Sequence, residues 1–95
     1  MNNYELALVV SAKIEDEARA TVVEKIKERI VKYGGSITNV DDQGKKKLAY
    51  DINKESEGFY TFISFDSESN VPAELDRKLR INENVLRYLC VRRDA

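Results

Sequence analysis

Gly58-Phe59-Tyr60-Thr61-Phe62-Ile63-Ser64-Phe65 is the stretch that decides the fold. Phe59, Thr61, Ile63 and Phe65 alternate with Tyr60, Phe62 and Ser64, the period of a strand whose two faces meet different surroundings. Just upstream, 36–41 and 47–52 carry strand patterns on either side of Asp42-Gln43-Gly44. They form either a small hairpin or one long strand bent by a bulge, and Gly44 permits both. Before them, 15–33 reads as a helix. Ala18, Val22, Ile26, Ile30 and Tyr33 recur at spacings of four and three, Glu15–Arg19 and Glu28–Lys32 are favourable i,i+4 pairs, and Gly34-Gly35 ends the run. The chain opens on a strand over 4–10, with Leu6, Leu8 and Val10 on one face and Glu5, Ala7 and Val9 on the other. Downstream, Asn70 caps a second helix with Pro72 in its first turn, and Val71, Leu75 and Leu79 form its apolar stripe. Asn82-Glu83-Asn84 breaks that helix. The last strand, 85–91, places Leu86, Tyr88 and Cys90 on one face and Val85, Arg87, Leu89 and Val91 on the other.

The order β-α-β-β-α-β predicts an α+β fold of ferredoxin-like type. It is a four-stranded antiparallel sheet with two helices packed on one face, in one domain spanning 1–95. The uncovered face then carries Ala7, Val9, Tyr60, Phe62, Leu89 and Val91, with Arg87 among them. An apolar patch of that size on a small domain marks a partner site, and Val9, Tyr60, Phe62, Leu89 and Val91 are the candidates. The plainer alternative is that loop residues cover it.

Composition excludes several function classes. The 95 residues are 42% hydrophobic and 35% charged, and contain no histidine and one cysteine. Histidine is the commonest general base and metal ligand, so triad catalysis is out of reach, and no calcium-loop spacing appears. The residues imply no cofactor and no small-molecule substrate. No apolar run approaches the roughly 20 residues of a membrane span, and the expected setting is a reducing cytoplasm.

The formal net charge of −1 hides segregation. Between 55 and 76 every charged residue is an acid. Between 77 and 93, Arg77, Lys78, Arg80, Arg87, Arg92 and Arg93 face only Glu83. Lys45, Lys46, Lys47 and Lys54 form a third, basic segment around Asp51. A partner meets these local fields, because salt screens charges beyond about 8–10 Å.

Taken alone, Lys45-Lys46-Lys47 reads as a solvated turn that discourages edge pairing. Beside Tyr50 and Lys54 it gains a second reading, since lysines neutralise phosphates and tyrosine stacks on or hydrogen-bonds to nucleotides. Arg77, Lys78 and Arg80 suit the C-terminal end of a helix dipole without any partner. Arg87, Arg92 and Arg93 have no such explanation, and arginine forks suit phosphate oxygens. The aromatic strand is also similar to that of an RNA-recognition motif. Its glycine, however, sits one residue too far upstream, and Glu57 replaces the basic residue.

Two stretches together resemble a known family. Gly44-x-Lys46-x-Leu48-Ala49-Tyr50-x-Ile52-x-Lys54 resembles the Gly-x-Arg-x-Leu-Ala-Tyr-Pro-Ile-x-Lys signature of bacterial small-subunit ribosomal protein six. Leu79-Arg80-Ile81-Asn82-Glu83-Asn84-Val85-Leu86-Arg87 resembles that family's second helix end and last strand. The resemblance implies a non-enzymatic ribosomal protein that pairs with small-subunit ribosomal protein eighteen and, with it, binds the central domain of small-subunit ribosomal RNA. It carries RNA contacts onto Lys46, Tyr50, Lys54, Arg80, Arg87 and Arg92, with Lys45 and Lys47 beside them. Asp51 departs from the family's proline, and Asn2-Asn3 lack the basic residue that often precedes Tyr-Glu. The rival reading is a ferredoxin-like small-molecule-binding or regulatory module that self-associates through its open sheet.

Overall fold

Six elements follow the expected order: β1 (Asn2–Ser11), α1 (Asp16–Lys32), β2 (Ser36–Ile52), β3 (Glu55–Ser67), α2 (Asn70–Arg80) and β4 (Val85–Arg92). A computed structural model describes residues 2–52 and 54–93. The strands lie in the order β2-β3-β1-β4, and every neighbouring pair is antiparallel. The order arises because each helix carries the chain across a strand position before it returns to the sheet.

The two central strands supply the core. Leu6, Leu8 and Val10 of β1 and Ile63 and Phe65 of β3 are fully buried on one face, and the Tyr4 and Phe65 rings stack at 5.6 Å. Val22, Ile26 and Ile30 of α1 and Val71, Leu75 and Leu79 of α2 cover that face. Ala18 stays exposed, one turn too early on α1 to reach the sheet. Arg19 does not pair with Glu15. It binds Asp16 at 2.8 Å and lays its guanidinium 3.6 Å from the Phe59 ring centroid. Lys27 pairs with Glu24 where Glu28–Lys32 was expected. Ser69 occupies the cap position of α2 and Asn70 is its first residue, one step from the sequence reading.

The choice left open around Gly44 is settled in favour of one long bent strand. Asp42 pairs with Thr61 and Gly44 with Tyr60, so Gln43 is an extra residue in the ladder. Gly44 meets this bulge with φ 76°, a conformation that costs glycine nothing, and its N–H donates to Asp42 Oδ1 at 2.9 Å. A second irregularity corrects β4. Val9 pairs with Arg87 and Val10 with Val85, which leaves Leu86 unmatched. Val85 therefore joins Tyr88 and Cys90 against the core. Leu86 lies on the opposite face beside Gly58, where simple alternation does not put it. Half-burial pushes the Cys90 thiol up to about 11, as expected for a small apolar filler.

Gly58 shows how close the packing is on that opposite face. A Cβ there would sit 2.6 Å from Val9 Cγ1. Gly58→Ala should therefore destabilise the protein by about 1–3 kcal/mol through overpacking. A urea titration reads this as a lower midpoint at constant slope, and an unchanged midpoint would show that Val9 yields freely.

Candidate nucleic-acid interface

Beyond Ser11, β1 ends, while β2 and β3 continue together as a two-stranded arm. Lys47 pairs with Glu57 and Ile52 with Glu55, so Leu48-Ala49-Tyr50-Asp51 bulges out of the ladder. The bulge gives each side chain a separate task. Leu48 is buried at 7% exposure yet lies outside the main core, a situation that only Val9 shares among the described buried apolar side chains. Tyr50 is 62% exposed, and its hydroxyl accepts a 3.0 Å hydrogen bond from Arg87 Nη1. Arg87 pairs with Val9 on β1, so this bond lays the arm against the helix-free face of the sheet.

Lys46 points to the same face. Its ammonium donates to Gln43 Oε1 at 3.1 Å and stands 5.9 Å from the centre of the Tyr60 ring. Lys46, Tyr50, Tyr60 and Arg87 thus gather at one end of the open face. Lys54 sits in the turn at the arm's tip with φ 66°. Its neighbour Asn53, toward which the Asp51 departure points, lies outside the described residues. Lys45 approaches Glu57 at 3.9 Å and is exposed on β2 just before the arm, and Lys47 is exposed at the arm's start.

Two predicted residues stand apart from this group. Arg80 belongs to the helical layer, where it binds Asp76, and Asp76 also accepts a 2.7 Å hydrogen bond from the Tyr88 hydroxyl. Arg92 pairs opposite Tyr4, at the far end of β4 from Arg87. There Arg93 binds Glu5 at 2.9 Å. The apolar candidates also divide. Val9 is 7% exposed and lies within the surface, Tyr60 and Phe62 are half-buried, and Leu89 and Val91 are exposed at 57% and 39%. Apolar exposure is not confined to this face, since Val31, Val40 and Ile81 are exposed elsewhere. Among the described residues, no group of acids and cysteine is placed to hold a metal, and no helix is long and apolar enough to cross a membrane.

The combination of bulged arm, one-sided sheet and chain order can be set against known proteins. A sequence profile described as ribosomal protein S6 matches residues 3–92. The chain belongs to this family. Small ribosomal subunit protein bS6 of Caldanaerobacter subterraneus is 47% identical over 99% of both chains. The Clostridioides difficile protein of the same name is 48% identical over 96% of this chain and 98% of its own. The crystal structure of 30S ribosomal protein S6 from Thermotoga maritima superposes with a TM-score of 0.93 at 31% identity, covering 97% of this chain and 87% of that one. The C-terminal domain of MgtC from Mycobacterium tuberculosis has a TM-score of 0.64 at 12% identity, covering 98% of this chain and 88% of that one, which shows a shared fold alone. This S6-family chain is thus a small-subunit ribosomal protein, ribosome-associated in the cytoplasm, and its relatives are structural proteins rather than enzymes.

Sequence reasoning missed Glu55. It lies in the acid-only stretch and looked like surface charge, yet it is 9% exposed. Its Oε1 accepts hydrogen bonds from Ser11 Oγ at 2.6 Å and from the Ala12 N–H at 3.2 Å. No signal in the sequence separates it from Glu57.

The Arg80 cluster makes a checkable electrostatic statement. The hydrogen bond from Tyr88, joined by the Arg80 charge, holds the Asp76 carboxyl below its ordinary 3.8. A depressed carboxyl stabilises the fold fully above its unfolded value, and that contribution fades as pH falls through the lowered folded value. Tyr88→Phe should raise the Asp76 titration midpoint toward 3.8, as read by carboxyl NMR. An unmoved midpoint would leave Arg80 as the whole cause.

Proposed function

We propose that this chain binds small-subunit ribosomal RNA, in its central domain, together with small-subunit ribosomal protein eighteen. The observation that carries the reading is the gathering of Lys46, Tyr50 and Arg87 at one end of the open face by the bulged arm. Two cations beside an exposed aromatic ring suit a phosphate backbone with a nucleotide face close by. Lys54 extends the surface at the arm's tip, and Lys45 and Lys47 add general positive potential. Arg80 and Arg92 would meet RNA from other sides of the domain, so a single helix would not engage all of these residues.

The rest of the open face suits the protein partner. Phe62, Leu89 and Val91 offer apolar contact area next to Tyr60, and Val9 braces them from within the surface. Such a partner lies beside the cationic end, so one RNA can touch both proteins. A handful of phosphate contacts binds weakly alone, and joining two charged surfaces multiplies them.

Folded RNA hides its bases in a deep, narrow groove, so recognition should rest on backbone and 2′-hydroxyl groups. In gel retardation of a central-domain RNA fragment with the partner present, Lys46→Ala with Lys54→Ala should weaken binding. It should also reduce the salt slope by about 1–2. Unaltered binding removes these lysines from the interface. Phe62→Ala and Leu89→Ala should each weaken partner binding about tenfold, as for contacts worth more than about 1 kcal/mol. Unchanged partner affinity, measured by calorimetry, would move the docking site to another face.

A further inference from the structure

The arm that carries the candidate RNA contacts does not hold its own position. A two-stranded ribbon is marginal in water. This one is also interrupted, because no ladder pairs join Lys47↔Glu57 to Ile52↔Glu55 across the bulge. No described residue of the arm belongs to the main core cluster. Something outside the ladder must set the angle at which Tyr50 and Lys54 are presented.

We propose that Glu55 is the positioning residue for this surface: its carboxylate latches the arm to the turn after β1 and so fixes the RNA-facing groups. The inference deepens the RNA-binding reading and rests on it. Glu55 Oε1 accepts from Ser11 Oγ at 2.6 Å and from Ala12 N–H at 3.2 Å, while Ser11 Oγ itself accepts from Lys13 N–H at 3.1 Å. Ser11 N–H donates to the Asn84 carbonyl at 2.8 Å, which ties the same turn to the loop before β4. The carboxylate thus connects the arm to both turns at that end of the sheet. Hydrogen bonds to a carboxylate are stronger than neutral ones, and Ser11 and Glu55 are both buried. The buried Leu48 side chain adds apolar contact without a directional bond, and the Tyr50–Arg87 bond is exposed and open to competition from water. If the arm swings out, Ser11 Oγ and the Ala12 N–H lose their acceptor, so the latch favours one orientation.

The test measures two quantities on the full chain: amide hydrogen exchange of the arm in the free protein, and retardation of the central-domain RNA fragment with the partner present. Because the arm lies outside the core, Glu55→Ala should fold. It should speed exchange at residues 47–52 and 55–57 about tenfold, leave β1 and the rest of β3 protected, and weaken RNA binding by about three- to tenfold. Glu55→Gln keeps the accepting oxygen and should restore most of both. Ser11→Ala removes the same bond from the other side and should reproduce the loosened arm. Arm exchange that stays at the wild-type rate in both Glu55→Ala and Ser11→Ala overturns the latch. A loosened arm with undiminished RNA binding, while the Lys46→Ala and Lys54→Ala pair still weakens it, overturns the positioning role alone. A silent lysine pair instead marks failure of the underlying RNA reading, and this role for Glu55 falls with it.

Discussion

The register between β1 and β3 is the constraint on which the other features depend. Val9 opposite Tyr60 and Leu8 opposite Thr61 put one alternating set under the helices and the other set on the open face. A slip of one residue would turn one strand over relative to the other and expose either Leu6 and Leu8 or Ile63 and Phe65. Removing one such side chain from water is worth about 1.5–3 kcal/mol, so the shared face fixes the register more firmly than any turn does. Once it is fixed, the helices have only one apolar face to cover. Tyr60, Phe62, Leu89 and Val91 remain on the other, and the ends of the central strands decide where the arm begins.

This explains why much of the fold was legible and why particular residues were not. Strict alternation in Phe59–Phe65 and at Leu6, Leu8 and Val10 reports a face directly, and the structure follows it. Leu86 was misassigned because a bulge breaks the period, and a bulge depends on where two strands end relative to each other. Gly44 permitted a bend or a hairpin. The preference for a bend follows from the continuous pairing of β2 along β3, a long-range property. In the candidate site, Lys46, Tyr50 and Lys54 were found through motif resemblance. Their neighbour Arg87, 37 residues away from Tyr50, was placed on the right face by alternation alone. Arg80 and Arg92 looked equivalent to Arg87 as charges, but the fold sends them to the helical layer and to the opposite end of β4. Glu55 was invisible because burial of a carboxylate depends on what folds over it.

Charge segregation has a structural counterpart. Acids and bases alternate as blocks along the chain, and folding scatters some of these blocks into local pairs: Arg93 with Glu5, Arg80 with Asp76, Lys45 with Glu57. Exposed pairs of this kind add little to stability, so their main effect is to remove positive potential from those parts of the surface. Lys46 and Arg87 take neutral partners instead, Gln43 Oε1 and the Tyr50 hydroxyl. Their positive charge is oriented without being cancelled, which is how a domain of net charge −1 keeps a cationic end.

The same arrangement limits what the domain does alone. Two oriented cations and a lysine at a turn tip make a small electrostatic footprint, and binding free energy from phosphate contacts scales with their number. Enlarging the footprint within this chain would add lysines to the open face and would disrupt the apolar patch formed by Phe62, Leu89 and Val91. The two uses of the face therefore compete for one sheet of four strands. Setting Lys46 and Arg87 at the end of the sheet where the arm begins, and Lys54 at the arm's tip, resolves the competition. On the proposed reading the sheet proper stays apolar for a protein and the overhang turns toward nucleic acid, with the Ser11–Glu55 contact bracing the overhang against the end of β1.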